Sequence, residues 1–198
     1  MISPPDPVVP VPAATIMVAA PGVTGMVVLM VRRPPGGMFG DAWVFPGGVV
    51  DPLDGSTSEG DSEPSIAFQW AAVRELTEEV GLVLAAGGLH FVSRWITPAL
   101  YPRRFDTYFY LAPIPVVVPV TPAAGEIEEA AFVTPAAALA AHQAQQWRLV
   151  LPTLAHLRWL ARFATPEKAM AAAATARPDP ISPMVAADGS LIPVDLPA

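Results

Sequence analysis

Three glutamates crowded onto one face of a single helix constrain this chain more than any other feature. The segment Arg74-Glu75-Leu76-Thr77-Glu78-Glu79-Val80-Gly81-Leu82 sets carboxylates at relative positions 0, 3 and 4. At 3.6 residues per turn those positions share a face. Like charges so placed repel, so a helix that carries them needs a compensating cation. Hard divalent cations such as Mg²⁺ or Mn²⁺ take anionic oxygen ligands and meet that need. Upstream, Phe45-Pro46-Gly47-Gly48-Val49-Val50-Asp51 ends a short strand in a glycine pair.

The flanking sequence alternates strands and helices. Residues 1–13 are proline-rich and read as an extended lead-in. Thr15–Ala20 and Met26–Arg33 read as strands joined by a turn, the second with the continuous apolar character of a strand buried on both faces. Ala42–Pro46 is a short strand, and 51–62 has loop composition. The glutamate helix is expected to start near Ser62–Pro64 and to stop at Gly81, a residue suited to a left-handed C-terminal cap. Leu89–Ile96, Phe105–Ile114 and Glu129–Val133 read as strands, and Pro135–Gln145 and Pro152–Phe163 as helices. Two apolar helices need a sheet face to cover, which makes an α/β/α layered domain over 14–163 the expected class. Residues 164–198 are rich in alanine and proline and are expected to be poorly ordered or draped over a neighbour.

Composition narrows the function. A chain of 198 residues, 53% of them hydrophobic, can bury a core, yet no apolar run approaches a membrane span. The net charge of −7 argues against broad nucleic-acid binding, which needs a basic footprint. It leaves room for a phosphate-bearing small substrate neutralised by cations and local arginines. With no cysteine there are no disulfides, zinc–thiolate sites or thiol nucleophiles, in keeping with a cytoplasmic location. The N-terminus has no positively charged start before an apolar run and does not read as a signal peptide.

The glycine pair and the Arg74–Leu82 pattern together resemble the signature of the Nudix hydrolases. The familiar form is a glycine, five residues, a glutamate, seven residues, then Arg-Glu-apolar-x-Glu-Glu-x-Gly-apolar, and its second half is complete here. The resemblance implies a Nudix-type α/β/α sandwich with a mixed central sheet. It implies a metal-dependent hydrolase of a diphosphate bond in a nucleoside diphosphate linked to another group, using Mg²⁺ or Mn²⁺. Glu75 and Glu79 would be direct ligands, Glu78 a ligand or base, and the Gly48 carbonyl a further oxygen. Arg74 would hold a glutamate in one rotamer by forked hydrogen bonds.

The first half of the signature departs from the family form. Gly48 and Arg74 stand 26 positions apart against 14 in the familiar spacing, and Ile66 occupies the place of the upstream glutamate. Glu59, Asp61 or Glu63 in the inserted loop could replace it, although all three also suit a solvated loop. The long loop, together with Arg104-Phe105-Asp106-Thr107 entering a strand, is similar to the Nudix branch that contains the peroxisomal acyl-CoA diphosphatases, which would make CoA or an acyl-CoA the substrate. Nucleotide-pool sanitation and a non-catalytic nucleotide sensor are the alternatives; retention of all three glutamates favours catalysis.

The remaining candidates are substrate contacts. Arg32, Arg33, Arg103 and Arg104 lie near strand ends, where they could grip phosphate or serve as surface charges. Arg33, Arg103, Arg104 and Glu128 are taken as the substrate-binding set, with Glu126 and Glu129 as neighbours of Glu128. Trp95, Phe109 and Tyr110 read as core. His90, His142 and His156 have no metal-ligand spacing and read as structural or surface. A homodimer through the apolar C-terminal helix fits the pattern.

Overall fold

The computed structural model describes residues 8–56, 65–176 and 179–197. Among these described residues, nine strands form one mixed sheet. They are β1 (Val11–Gly22), β2 (Gly25–Arg32), β3 (Ala42–Val44), β4 (Gly47–Val49), β5 (His90–Ile96), β6 (Phe105–Pro113), β7 (Glu129–Val133), β8 (Arg148–Leu149) and β9 (Pro180–Ile181). The order across the sheet is β8-β3-β2-β1-β6-β5-β9, with β4 paired to β1 and β7 to β2. At its centre β1 and β6 run parallel over nine residue pairs, from Val11 beside Phe105 to Ala19 beside Pro113.

The alternation of β1 divides the core. Ala14, Ile16, Val18 and Ala20 face one layer, where α1 (Ile66–Val80) presents Phe68, Ala72, Leu76 and Val80. Met17 and Ala19 face the other layer, covered by α2 (Pro135–Gln143), α3 (Leu151–Leu160) and α4 (Pro166–Ala173). Helices on both faces of a mixed sheet make this the α/β/α sandwich that the interleaved pattern predicts. Among the described residues no helix is long and apolar enough to cross a membrane.

Several boundaries differ from the sequence reading. β1 begins at Val11, inside the expected lead-in, because the Pro12 carbonyl accepts the Val50 N–H even though Pro12 has no N–H to donate. The strand expected over Ala42–Pro46 divides at Phe45-Pro46: β3 pairs with β2, and β4 crosses to β1, where the Pro46 carbonyl accepts from the Ile16 N–H. α1 begins at Ile66 with Ser65 as its cap, and Ser62–Pro64, the expected start, lies outside the described residues.

The Ala/Pro-rich segment after Thr165 folds onto its own domain. Ala169 and Ala173 of α4 are buried, β9 extends the sheet beside β5, and Leu196 enters the core. Alanine faces let α4 approach closely, a kind of packing that composition alone reads as lack of structure.

Candidate active site

α1 meets the glycine pair at its C-terminal half. Its last turn closes at Gly81, whose φ of 73° is left-handed and whose N–H donates to the Thr77 carbonyl at 2.9 Å. Along the helix the three glutamates are buried to different degrees: side-chain exposure is 52% for Glu78, 18% for Glu75 and 2% for Glu79. Gly48 explains the approach of Glu75. A Cβ at position 48 would collide with the Glu75 carboxylate, so only glycine lets the carboxylate lie against the β4 backbone. Gly47 answers Glu79, its N–H donating to Glu79 Oε2 at 3.1 Å.

Two arginines hold these carboxylates. Arg74 Nη1 donates to Glu75 Oε1 and to Glu78 Oε2, each at 2.9 Å. Its Nε and Nη2 fork onto Asp54, at 3.0 Å to Oδ1 and 2.9 Å to Oδ2, and Nη2 also donates to the Val49 carbonyl. Every nitrogen of Arg74 is therefore engaged, which fixes its plane and, through it, Glu75 and Glu78. Arg33 donates from Nη1 to Glu79 Oε1 at 2.8 Å.

The electrostatics follow the burial. Desolvation raises Glu79 to about 7, with the Arg33 charge and the Gly47 N–H pulling it down and the Glu75 charge pushing it up. Burial likewise raises Glu75, against the opposing pull of Arg74. Asp54 is lowered, because the hydrogen bonds from Arg74 and the Asp51 backbone outweigh its burial. Carboxylates held up in this way are destabilised as anions, and added positive charge would relieve them. Among the described residues no three acidic or histidine side chains already converge closely enough to enclose an ion. The donor set nonetheless suits a hard divalent cation. All its atoms are oxygens, and the absent side chain at Gly48 brings a carboxylate against a strand carrying peptide carbonyls.

The other expected residues separate into near and far groups. Glu128 is exposed, and its N–H donates to the Arg32 carbonyl at 2.9 Å, one residue from Arg33. Arg32 itself pairs with Glu129 at 2.7 Å and lies 3.5 Å from Asp41. Arg103 is exposed, with its guanidinium 5.1 Å from the centre of the Phe105 ring. Arg104 donates to the carbonyls of Thr97 at 2.8 Å and Val8 at 2.7 Å, so it ties the β5–β6 loop to the start of the chain. One strand separates this corner from the glycine pair: β1 sets Val11 beside Phe105 and Ala13 beside Val49. Ile66 is half-exposed at the first turn of α1, and Glu59, Asp61 and Glu63 lie outside the described residues. Trp95, Phe109 and Tyr110 are core, as read.

Asp54 was not anticipated. It closes a short turn, Pro52–Asp54, in which the Asp51 side chain accepts from the Leu53 N–H and the Asp54 side chain accepts from the Asp51 N–H. That reciprocal cap is visible in the sequence as Asp51-x-x-Asp54. What it could not reveal is that Asp54 reaches Arg74 twenty positions on.

A mixed sheet between helical layers, with a carboxylate helix closing on a glycine pair, defines an α/β sandwich class of protein. The NUDIX domain family model matches residues 9–153, and the chain belongs to that family. The putative nudix hydrolase 7 of Caenorhabditis elegans is 31% identical over 134 residues, covering 50% of this chain and 43% of that protein. The match thus spans less than half of that relative. A NUDIX hydrolase from Alicyclobacillus acidocaldarius superposes with a TM-score of 0.73 at 25% identity, covering 82% of this chain and 96% of the other. The NUDIX domain of Shewanella oneidensis NrtR, solved with ADP ribose, shares the fold at a TM-score of 0.57 and 15% identity, covering 78% and 88%.

Proposed function

We propose that this protein hydrolyses a diphosphate bond in a nucleoside diphosphate derivative, with a divalent cation held by Glu75, Glu79 and Glu78 beside the Gly48 carbonyl. The observation that carries the reading is the pair of carboxylates, Glu79 buried and Glu75 partly buried, packed against Gly47-Gly48 and raised by desolvation. When bound, Mg²⁺ or Mn²⁺ neutralises phosphate oxygens and lowers the pKa of a water.

The chain's own residues do the rest. Arg74, clamped by Asp54, keeps Glu75 and Glu78 in fixed rotamers, so the ligands do not reorganise during the reaction. Glu78, half-exposed beside the two ligands and held by Arg74, is the carboxylate suited to taking a proton from an attacking water. Arg33, beside Glu79, and Arg103, at the neighbouring corner of the sheet, offer guanidinium groups to the substrate phosphates. Arg104 holds the loop that presents Arg103, and Glu128, whose N–H is held by the Arg32 carbonyl, stands near Arg33. The loop between the halves of the signature and the Arg104–Thr107 stretch favour CoA or an acyl-CoA as the substrate.

Turnover of CoA, ADP-ribose, NADH, dinucleoside polyphosphates and 8-oxo-dGTP, each with Mg²⁺, tests the reading. Preferred cleavage of CoA to 3′,5′-ADP and phosphopantetheine supports it in full. Preference for 8-oxo-dGTP would make the protein a nucleotide-pool enzyme. Tight binding of one compound without cleavage of any would make it a sensor.

A further inference from the structure

Arg33 and Arg74 both grip carboxylates of α1, but by different means. Arg74 is locked by Asp54, Glu75, Glu78 and Val49. Arg33 holds Glu79 through the end of one nitrogen, Nη1, and among the described residues its side chain makes no other hydrogen bond or ion pair. Its backbone is fixed, the N–H donating to the Ala42 carbonyl at 3.0 Å, while its side chain is 39% exposed. The side chain can therefore swing from a fixed root. As an anion Glu79 needs a partner, because it is only 2% exposed and a charged carboxylate so placed needs opposite charge and hydrogen bonds. Arg33 takes Oε1 and Gly47 takes Oε2, so a cation approaching this carboxylate meets a group already paired with the Arg33 charge.

We propose that Arg33 is an internal counter-cation: it neutralises Glu79 in the unloaded protein, competes with the divalent cation for that carboxylate, and on displacement swings to the substrate's phosphates. This rests on the reading of Glu75, Glu78 and Glu79 as cation ligands. It makes Arg33 a positioning residue for Glu79 before loading and a phosphate contact afterwards. It also couples the two events, since the guanidinium is released to the substrate only when the carboxylate has another partner.

Mn²⁺ titration of the whole chain without substrate, read by the paramagnetic resonance of the free ion, isolates the competition. Arg33→Gln should bind Mn²⁺ about tenfold more tightly than the unaltered protein, as expected when a competing ion pair of this kind is removed. Arg32→Gln removes the same charge one residue away, from a pair with Glu129, and controls for the general field; it should change affinity by less than about twofold. Arg33→Lys retains the charge and should fall between the two, and it serves should Arg33→Gln fold poorly. Equal Mn²⁺ affinities for Arg33→Gln and Arg32→Gln, or a weaker one for Arg33→Gln, would overturn the proposal. Glu79→Gln should weaken Mn²⁺ binding; if it does not, the cation site itself is misassigned, a failure distinct from that of Arg33. With substrate present, Arg33→Gln should raise KM more than it lowers kcat, and an unchanged KM would also count against the handover.

Discussion

Two buried polar clusters lie on opposite faces of the same sheet, and they are built on opposite principles. Under α3, His156 is wholly buried and fully satisfied. Its Nδ1 donates to the Pro152 carbonyl at 2.6 Å, which leaves Nε2 to accept from the Ser93 hydroxyl at 2.8 Å. Ser93 in turn accepts from Trp95 Nε1 at 3.0 Å, and the imidazole stacks on Phe109 at 4.2 Å. The group is neutral and its hydrogen bonds run in one consistent direction. Under α1, the acidic groups Glu79, buried, and Glu75, partly buried, are held by arginines of which one is locked and one is not. A satisfied neutral network specifies packing. Buried like charges raise the free energy of the empty fold, and a ligand that removes the repulsion recovers it. The first cluster is therefore a structural device, and the second is where chemistry is expected.

Substitution should separate the two clusters most sharply. Glu79→Gln is expected to cut metal-dependent turnover by more than about 100-fold, since a lost ligand should exceed the effect of a lost supporting residue. Its melting temperature should stay near that of the unaltered protein, because an amide at this site removes a desolvated charge. Full activity in Glu79→Gln would refute the site. His156→Ala should do the reverse, costing about 3 kcal/mol of stability through the lost ring and the unpaired Ser93. Turnover at a temperature where it is folded should be little changed. Denaturant unfolding and steady-state rates on the same preparations decide the matter.

The His156 cluster also predicts a pH dependence. Burial lowers its pKa from 6.5 to about 4, partly offset by the Pro152 hydrogen bond. Between those values the unfolded chain binds a proton that the folded chain refuses. The stability contributed by the neutral ring is thus complete above pH 6.5 and is lost as pH falls towards 4. The loss should reach about 3 kcal/mol, at a slope of up to about 1.4 kcal/mol per pH unit. Unfolding free energies of the unaltered protein and His156→Gln, measured from pH 7 to 4.5, should converge on acidification. Parallel curves would mean that His156 does not titrate in this way.

Asp54 tests whether the active cluster is preorganised by its support. Asp54→Ala would leave Arg74 with two glutamates and one carbonyl, and should lower kcat by about 10- to 100-fold with a smaller change in KM. Asp54→Asn keeps an acceptor for Arg74 and should recover part of the loss. A purely structural role would show instead as lost stability with kcat intact in the folded fraction.

The two clusters also differed in how far the sequence disclosed them. The carboxylate face of α1 was legible because helical period, Gly81 and the glycine pair are local patterns. The central strands were legible as apolar runs such as Met26–Val31. The His156 network was not, since Ser93, Trp95 and His156 meet only once β5 and α3 pack together. For the same reason Arg33 was read as a phosphate grip without its partner Glu79, 46 positions away. β8 and β9, each two residues long, carry no period to detect, and α4 has the composition of an unstructured tail although Ala169 and Ala173 are buried.

Arg103 and Arg104, adjacent in sequence and equivalent in the sequence reading, give the finest test, because the structure assigns them different surroundings. Arg104 holds the Thr97 and Val8 carbonyls, whereas Arg103 lies exposed over Phe105. Arg104→Ala should cost about 1 kcal/mol of stability through those two bonds. It should raise KM for a phosphate-rich substrate less than Arg103→Ala does. Arg103→Ala should leave the melting temperature unchanged and raise KM severalfold, by an amount that shrinks as salt screens the exposed charge. If the two variants raise KM equally with no loss of stability in either, Arg104 is a phosphate contact after all, and the corner of the sheet across β1 from the glycine pair belongs to the active cluster.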